Sequence, residues 1–430
     1  MVAPLHSICE QVTPEGCRIG SFASTVPGMI DLSDPAFQAD PYPTLNAVRE
    51  DTPIFPIVGV DGIERWFLTR YEDVFAALRD RRLGRVPEPV MTREDVGLPA
   101  LRPDWQPYHD IEEWSLLMLE PPEHLRLRRL IHRSFTPKRI EGLRPRISEH
   151  ADLLLQRAID SGGADLLGEF AQPFSVFVIA ELLGAPTDAG QQFLDWSHRI
   201  VKMYELDTTD EQADAAVRAS AEFDAWCRDL IAERRADPQD DLITGLCFVE
   251  TEDGRLSDDE IVSTIILLLN AGHEATVNTI GNGMTAALST PDAWTQVTEG
   301  SVDARTAVEE LIRFDPPLQL FERWVLDDGV VHAGREFAKG EKLAMLFGSA
   351  NRDPRHFTDP DEFRIDRGDA SHITFGGGIH TCIGAPLARL ELSVALDRMA
   401  KLTPGLALAE PPVRKPAFVI HGYESVDVTT

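Results

Sequence analysis

In "FGGGIHTCIG", residues 375–384, a cysteine stands among glycines, two places after a histidine and just ahead of a stretch with helical spacing. Gly376, Gly377 and Gly378 open backbone conformations closed to other residues and let the chain pass close to a flat object. Gly384 and Pro386 bracket the start of the next helix, so Cys382 falls near a helix N-terminus, where free amides and the dipole favour a thiolate. Such a sulfur can bind a metal, attack an electrophile, or lie inert in the core. Zinc wants more cysteine or histidine neighbours than His380 supplies. A nucleophile wants an adjacent base, for which His380 is a candidate. A haem iron wants one axial thiolate, and haem is flat.

A second stretch able to do chemistry is Asn270-Ala271-Gly272-His273-Glu274-Ala275-Thr276. It lies inside the longest predicted helix, announced by Ser257 and Glu260, a hydroxyl and a carboxylate three apart that satisfy the free amides of a first turn. Apolar residues fill 261–269 and the pattern runs to about Leu288, so the helix crosses the core over about 45 Å. A mid-helix glycine costs about 1 kcal/mol relative to alanine, so something should need the room at Gly272.

The elements that must position these groups are mostly helical. Periodicity predicts helices over 124–134, 139–161, 174–183, 213–237, 303–314 and 386–402, with short strands at 323–326 and 342–347. Alternation over 54–60 and 63–69 around Asp61-Gly62 predicts a hairpin. Residues 86–110 hold Pro87, Pro89, Pro99, Pro103 and Pro107 and are expected to be a long loop, of the kind that covers a site. The class is mainly α with minor β.

The 430 residues show no Gly/Ser-rich linker or repeat, so residues 30–430 are expected to form a single domain after a disordered or extended segment, 1–29. A net charge of −30 repels nucleic acid and anionic lipid, which argues against either as a partner. Five scattered cysteines with no C-x-x-C pair support neither a disulfide framework nor a zinc ribbon. No signal-peptide pattern and no uninterrupted apolar run of about twenty residues is present, so a cytoplasmic location is expected.

Phe375, Gly378, Cys382 and Gly384 match F-x-x-G-x-x-x-C-x-G, the haem-binding loop of the cytochrome P450 family. Glu310-Leu311-Ile312-Arg313 resembles that family's E-x-x-R, and Asn351-Arg352-Asp353-Pro354 with Phe357, Pro360 and Phe363 resembles its meander. Ala271-Gly272-His273-Glu274 is similar to the oxygen-activating stretch of its long central helix, and Pro121-Pro122-Glu123-His124 to Arg128 resembles its haem-contacting helix. Five matches in the family's order over residues 30–430 make chance agreement very improbable.

The resemblance implies the cytochrome P450 fold, with haem b held between the central helix and the cysteine loop and O2 as co-substrate. Cys382 would be the axial ligand, with Phe375 packed near the sulfur and Gly384 part of the loop; His124, Arg128, Arg323 and His380 would meet the haem propionates. Glu310 and Arg313 would be a structural ion pair. Met118, Ala271, Leu318, Val419 and Ile420 would line the substrate pocket. The implied activity is insertion of one oxygen atom into a small or medium organic substrate, with electrons from a separate chain. A haem-thiolate enzyme doing coupling, isomerisation or peroxide chemistry, and a non-catalytic haem sensor, are the rival readings.

One departure stands out: the family's acid is typically followed by threonine, whereas here Glu274 is followed by Ala275 and the hydroxyl comes at Thr276. One residue is about 100° of helix rotation, so Thr276 cannot simply replace the missing group. A water or a substrate hydroxyl is expected to fill the gap left by the alanine methyl, with Glu274 still supplying protons. Between Glu123 and Arg146 the charge reverses to basic, and an acidic ferredoxin or flavodoxin is expected to dock near Arg126, Arg129 and Arg133.

Overall fold

The computed structural model describes residues 30–59, 61–186, 189–204 and 208–430, so the expectation for residues 1–29 lies outside the described residues. Helices dominate. The central helix is Asp258–Ser289, capped by Ser257 with Glu260 in the reciprocal arrangement its sequence predicts, and buried along most of its length. It packs against Gln172–Leu183 and Ala304–Phe314, and the helix Ala385–Leu402 crosses close to it. These four helices place the glycine-rich loop and the mid-helix polar stretch in one region.

A five-stranded sheet flanks the helices, in the order Ile54–Val58, Glu64–Leu68, Lys342–Leu346, Leu320–Val325, Leu83–Gly84. The predicted hairpin is its edge, antiparallel from Ile54 opposite Leu68 to Val58 opposite Glu64. Lys342–Leu346 runs parallel to Glu64–Leu68 and antiparallel to Leu320–Val325. Phe321 and Arg323, two apart on one strand, share a face, and the guanidinium sits 4.4 Å from the ring centroid.

The structure corrects some boundaries. The proline-rich segment is not a continuous loop: Pro103–Trp105 is a 3₁₀ turn leading into the helix Gln106–Glu113, where Pro107 occupies the first turn and so breaks no helical hydrogen bond. The stretch predicted over 139–161 is two helices, Pro137–Gly142 and Arg144–Ser161. Gly190–Ile200 and Leu242–Phe248 are helices that the pattern did not separate from their surroundings. The stretch Leu166–Leu183 is long and apolar enough by composition to cross a bilayer, and 67% of it is buried inside the protein.

Candidate haem-thiolate active site

The cysteine loop is shaped by glycine conformations and anchored from behind. Gly376 and Gly378 have φ of 70° and 68°, left-handed values that favour glycine. A Cβ on Gly378 would lie 2.3 Å from the carbonyl oxygen of Leu78, so the backbone passes where no side chain fits. The Cys382 amide donates to the Phe375 carbonyl at 2.9 Å and closes the loop, while Phe375 lies under the Arg389 guanidinium at 4.6 Å. Helix Ala385–Leu402 begins at once after Gly384.

The Cys382 side chain opens onto the cleft, and desolvation by the protein packed around it raises the thiol above its ordinary value, against the lowering pull of the Gly384 and Ala385 amides and of Arg128 and Arg389. The expected pull of the helix-start amides on the sulfur is present, opposed by desolvation, and a coordinating metal would favour the deprotonated form further. The nucleophile reading also weakens, because the His380 ring lies against His124, with centroids 4.2 Å apart, and its Nε2 is 3.8 Å from Glu120.

Glu310 and Arg313 brace the loop from below. They form a fully buried bidentate pair at 2.7 and 2.8 Å, and Arg313 also donates to the carbonyls of Asn351 and Pro360. Asn351 accepts from the Ile373 amide and donates to Thr374, whose hydroxyl bonds the Ile312 carbonyl. The predicted structural role of the pair thus has a traceable path, from helix Ala304–Phe314 through the meander to the residue before Phe375.

Around the loop the structure gathers several basic groups, with Glu120 as the acid beside them. Helix Glu123–Ser134 presents His124 and Arg128 one turn apart; Arg128 donates to the Thr381 carbonyl at 2.6 Å, next to Cys382. Both His124 ring nitrogens and the His380 Nε2 are buried without hydrogen-bond partners. Arg323 is 2% exposed and donates only to the Glu322 carbonyl among the described residues, and Arg85, which the sequence did not single out, lies 4.4 Å over the same Phe321 ring. Among the described residues the guanidiniums of Arg85, Arg128 and Arg323 form no ion pair, although the Arg85 backbone amide donates to Glu120, whose charge also acts on Arg323. Burial and mutual repulsion lower the Arg323 pKa well below its ordinary value and bring His124 down to about 3. Buried cations without partners are costly, so this set fits a ligand that brings its own carboxylates, as haem does with its two propionates.

On the central helix, Ala271 and Ala275 are exposed, four residues apart on one face, although the residues around them are buried. Cys382 is exposed too, and the two segments are joined by the Thr276 hydroxyl, which donates to Glu391 at 2.6 Å on the helix that follows the cysteine. That bond corrects the candidacy of Thr276: its hydroxyl faces helix Ala385–Leu402 and not the open face that Ala275 occupies. Glu274 is partly exposed. Gly272 makes room for a neighbouring helix: a Cβ there would lie 2.6 Å from Cδ1 of Ile179. Leu318 pairs with Ile420 in a bridge, the Gln319 amide donates to the Val419 carbonyl, and Met118 lies beside Arg85, so these pocket candidates sit at the ends of the same region.

The basic segment is largely self-neutralised. Arg126 pairs with Glu260, Arg129 with Asp253 at 2.6 Å, Arg139 with Asp240, Arg144 with Glu141 and Arg146 with Glu181. Arg133 and Lys138 are exposed and have no ion pair among the described residues.

Comparison with known proteins agrees with this geometry. A family profile described as Cytochrome P450 matches residues 304–401, from the helix bearing Glu310 to the helix after Cys382. The vitamin D(3) 25-hydroxylase of Pseudonocardia autotrophica is 36% identical over 405 residues, covering 93% of this chain and 96% of the relative. The 6-deoxyerythronolide B hydroxylase of Saccharopolyspora erythraea is 34% identical over 409 residues, covering 94% and 99%. Among solved structures, the Bacillus subtilis 168 bacillaene polyketide synthase cytochrome P450 PksS superposes with a TM-score of 0.84 at 34% identity, covering 93% of this chain and 99% of that one. A cysteine loop braced by a buried Glu-Arg pair, a ring of unpaired basic groups and similarity along nearly the whole chain lead to one conclusion: the protein belongs to the cytochrome P450 family.

Proposed function

We propose that this chain inserts one oxygen atom of O2 into a small or medium organic substrate, with Cys382 as the axial ligand of haem b and His124, Arg128, Arg323 and His380, joined by Arg85, receiving the propionates. The relatives support the reaction class, being named as a vitamin D(3) 25-hydroxylase, a 6-deoxyerythronolide B hydroxylase and a mycinamicin IV hydroxylase/epoxidase. The observation that carries the residue assignment is the set of buried, unpartnered imidazoles and unpaired guanidiniums beside an exposed cysteine. The haem supplies the one-electron and oxygen chemistry, tuned by its thiolate ligand.

The chain's own residues bind, orient and move protons. Arg128 fixes the loop carbonyl next to the sulfur, and Glu310 with Arg313 holds the loop rigid from behind. Glu274 takes protons from the solvent side and passes them into the cleft. Ala275 offers no hydroxyl, so an ordered water or a hydroxyl of the substrate completes that path. Leu318, Val419, Ile420 and Met118 give the substrate an apolar contact, as pockets of this kind require. Electrons arrive from a separate acidic ferredoxin or flavodoxin, and the location is cytoplasmic.

The test is spectroscopic. Wild-type protein expressed with abundant hemin and reduced under carbon monoxide is expected to give a thiolate-type spectrum, and C382H an imidazole-type or haem-free one. An imidazole-type spectrum in the wild type would remove Cys382 from the role.

A further inference from the structure

Above the proton-handling carboxylate, two elements bring a second set of ligating groups together. His198 comes from helix Gly190–Ile200, and His273 and Glu274 from the central helix. One ligand atom from each, a ring nitrogen or a carboxylate oxygen, lies within 4.8 Å of the other two. His273 is 0% exposed, and neither of its ring nitrogens has a hydrogen-bond partner among the described residues. Its Nδ1 is 3.7 Å from Glu274 Oε2, and the His198 ring is 5.6 Å from its own, centroid to centroid. A buried imidazole without a partner forfeits its hydration, so the fold holds a polar group that a ligand would satisfy. Burial, with His198 and Lys415 facing the ring, disfavours a charged His273, and neutral imidazole is the form that ligates metal.

We propose that His198, His273 and Glu274 form a binding site for a divalent transition metal of the zinc class. Two neutral nitrogens and one carboxylate are a donor set that zinc accepts with water in the fourth position, whereas magnesium and calcium want oxygen. Donors on tetrahedral zinc lie about 3.3 Å apart, so the exposed His198 and the partly exposed Glu274 must close in on the fixed His273. The charge of Lys415 opposes the ion and sets an upper limit on affinity. Bound metal would clamp helix Gly190–Ile200 to the central helix and occupy the carboxylate that handles protons, making the site inhibitory. That consequence rests on the role given to Glu274; the binding itself does not.

Calorimetric titration of the tag-free, haem-loaded protein separates the two. Zinc chloride is expected to bind one ion per chain while magnesium chloride gives no heat, and H198A is expected to weaken zinc binding at least tenfold with its turnover in the absence of zinc unchanged. Zinc should inhibit wild-type turnover over the concentration range of binding and spare H198A. No one-to-one zinc event in the wild type, or equal zinc affinity in H198A, overturns the site; one-to-one binding with unchanged turnover overturns the participation of Glu274.

Discussion

Glu391 shows how much a single buried group can shape this protein's behaviour. It lies 1% exposed, accepts the Thr276 hydroxyl on one oxygen and leaves the other without a partner. Burial pushes its pKa up to about 8, partly opposed by the Thr276 hydrogen bond. In the unfolded chain the same carboxyl ionises near its ordinary value of about 4.3. Between there and pH 8 the folded state keeps a proton that the unfolded state has lost, so this group makes stability fall as pH rises through that window and contributes no slope below it. E391Q removes the titration and keeps an acceptor for Thr276. Its melting temperature is expected to exceed that of the wild type at pH 8 and to converge with it near pH 4.5. Calorimetric scans of the haem-loaded proteins across that range check this, and parallel pH profiles would refute it. The sequence could name Thr276 but not this partner, 115 positions away, because a hydroxyl's direction depends on which helix packs against it.

At the scale of elements, the parts of the fold set by local pattern were readable and those set by long-range packing were not. The capping box at Ser257 and Glu260, the hairpin and the helix bearing Glu310 carry their signals within a few residues. Helix Gln106–Glu113 was hidden because prolines read as breakers also fit a first turn. Leu83–Gly84 is a strand only through its pairing with residues 324 and 325. Of the candidate site, the resemblance named Cys382, His124, Arg128, Arg323 and His380, which the fold brings to one loop region, but Arg85 carries no local signal and emerges only from its stacking on Phe321. The central helix also decides what Ala275 means. Rotation by one residue puts the Thr276 hydroxyl on the face toward Glu391, and the Thr279 hydroxyl one turn on is bonded to the Ala275 carbonyl, leaving a methyl at Ala275 on the open face. If water or a substrate hydroxyl fills that gap, A275T competes for the same space. KM is then expected to rise severalfold without gain in kcat. A higher kcat at unchanged KM would instead mean that the methyl leaves an unfilled deficit.

For the molecule as a whole, a formal charge of −30 sets the problem of how an acidic electron donor can approach. Long-range repulsion slows such an encounter unless a local patch reverses the field near the haem side. The helix Glu123–Ser134 carries Arg128, which bonds the loop at Thr381 next to Cys382, and its last turn carries His132 and Arg133. The structure narrows which charges are available there. Arg126 and Arg129 are held by Glu260 and Asp253, so they contribute little net potential, whereas Arg133 and the nearby Lys138 are exposed and unpaired among the described residues. We therefore expect R133E/K138E to slow electron transfer from an acidic ferredoxin about tenfold at low ionic strength, with the difference shrinking as salt shortens the Debye length to about 3 Å near 1 M. R126E would break a pair with a carboxylate that is 3% exposed, and it should cost stability more than encounter rate. Stopped-flow reduction under carbon monoxide, across a salt series, reads the rates directly. Unchanged rates and an unchanged salt slope in R133E/K138E would move the docking surface elsewhere, because no altered partner affinity can leave a charge-steered encounter indifferent to reversing two of its charges.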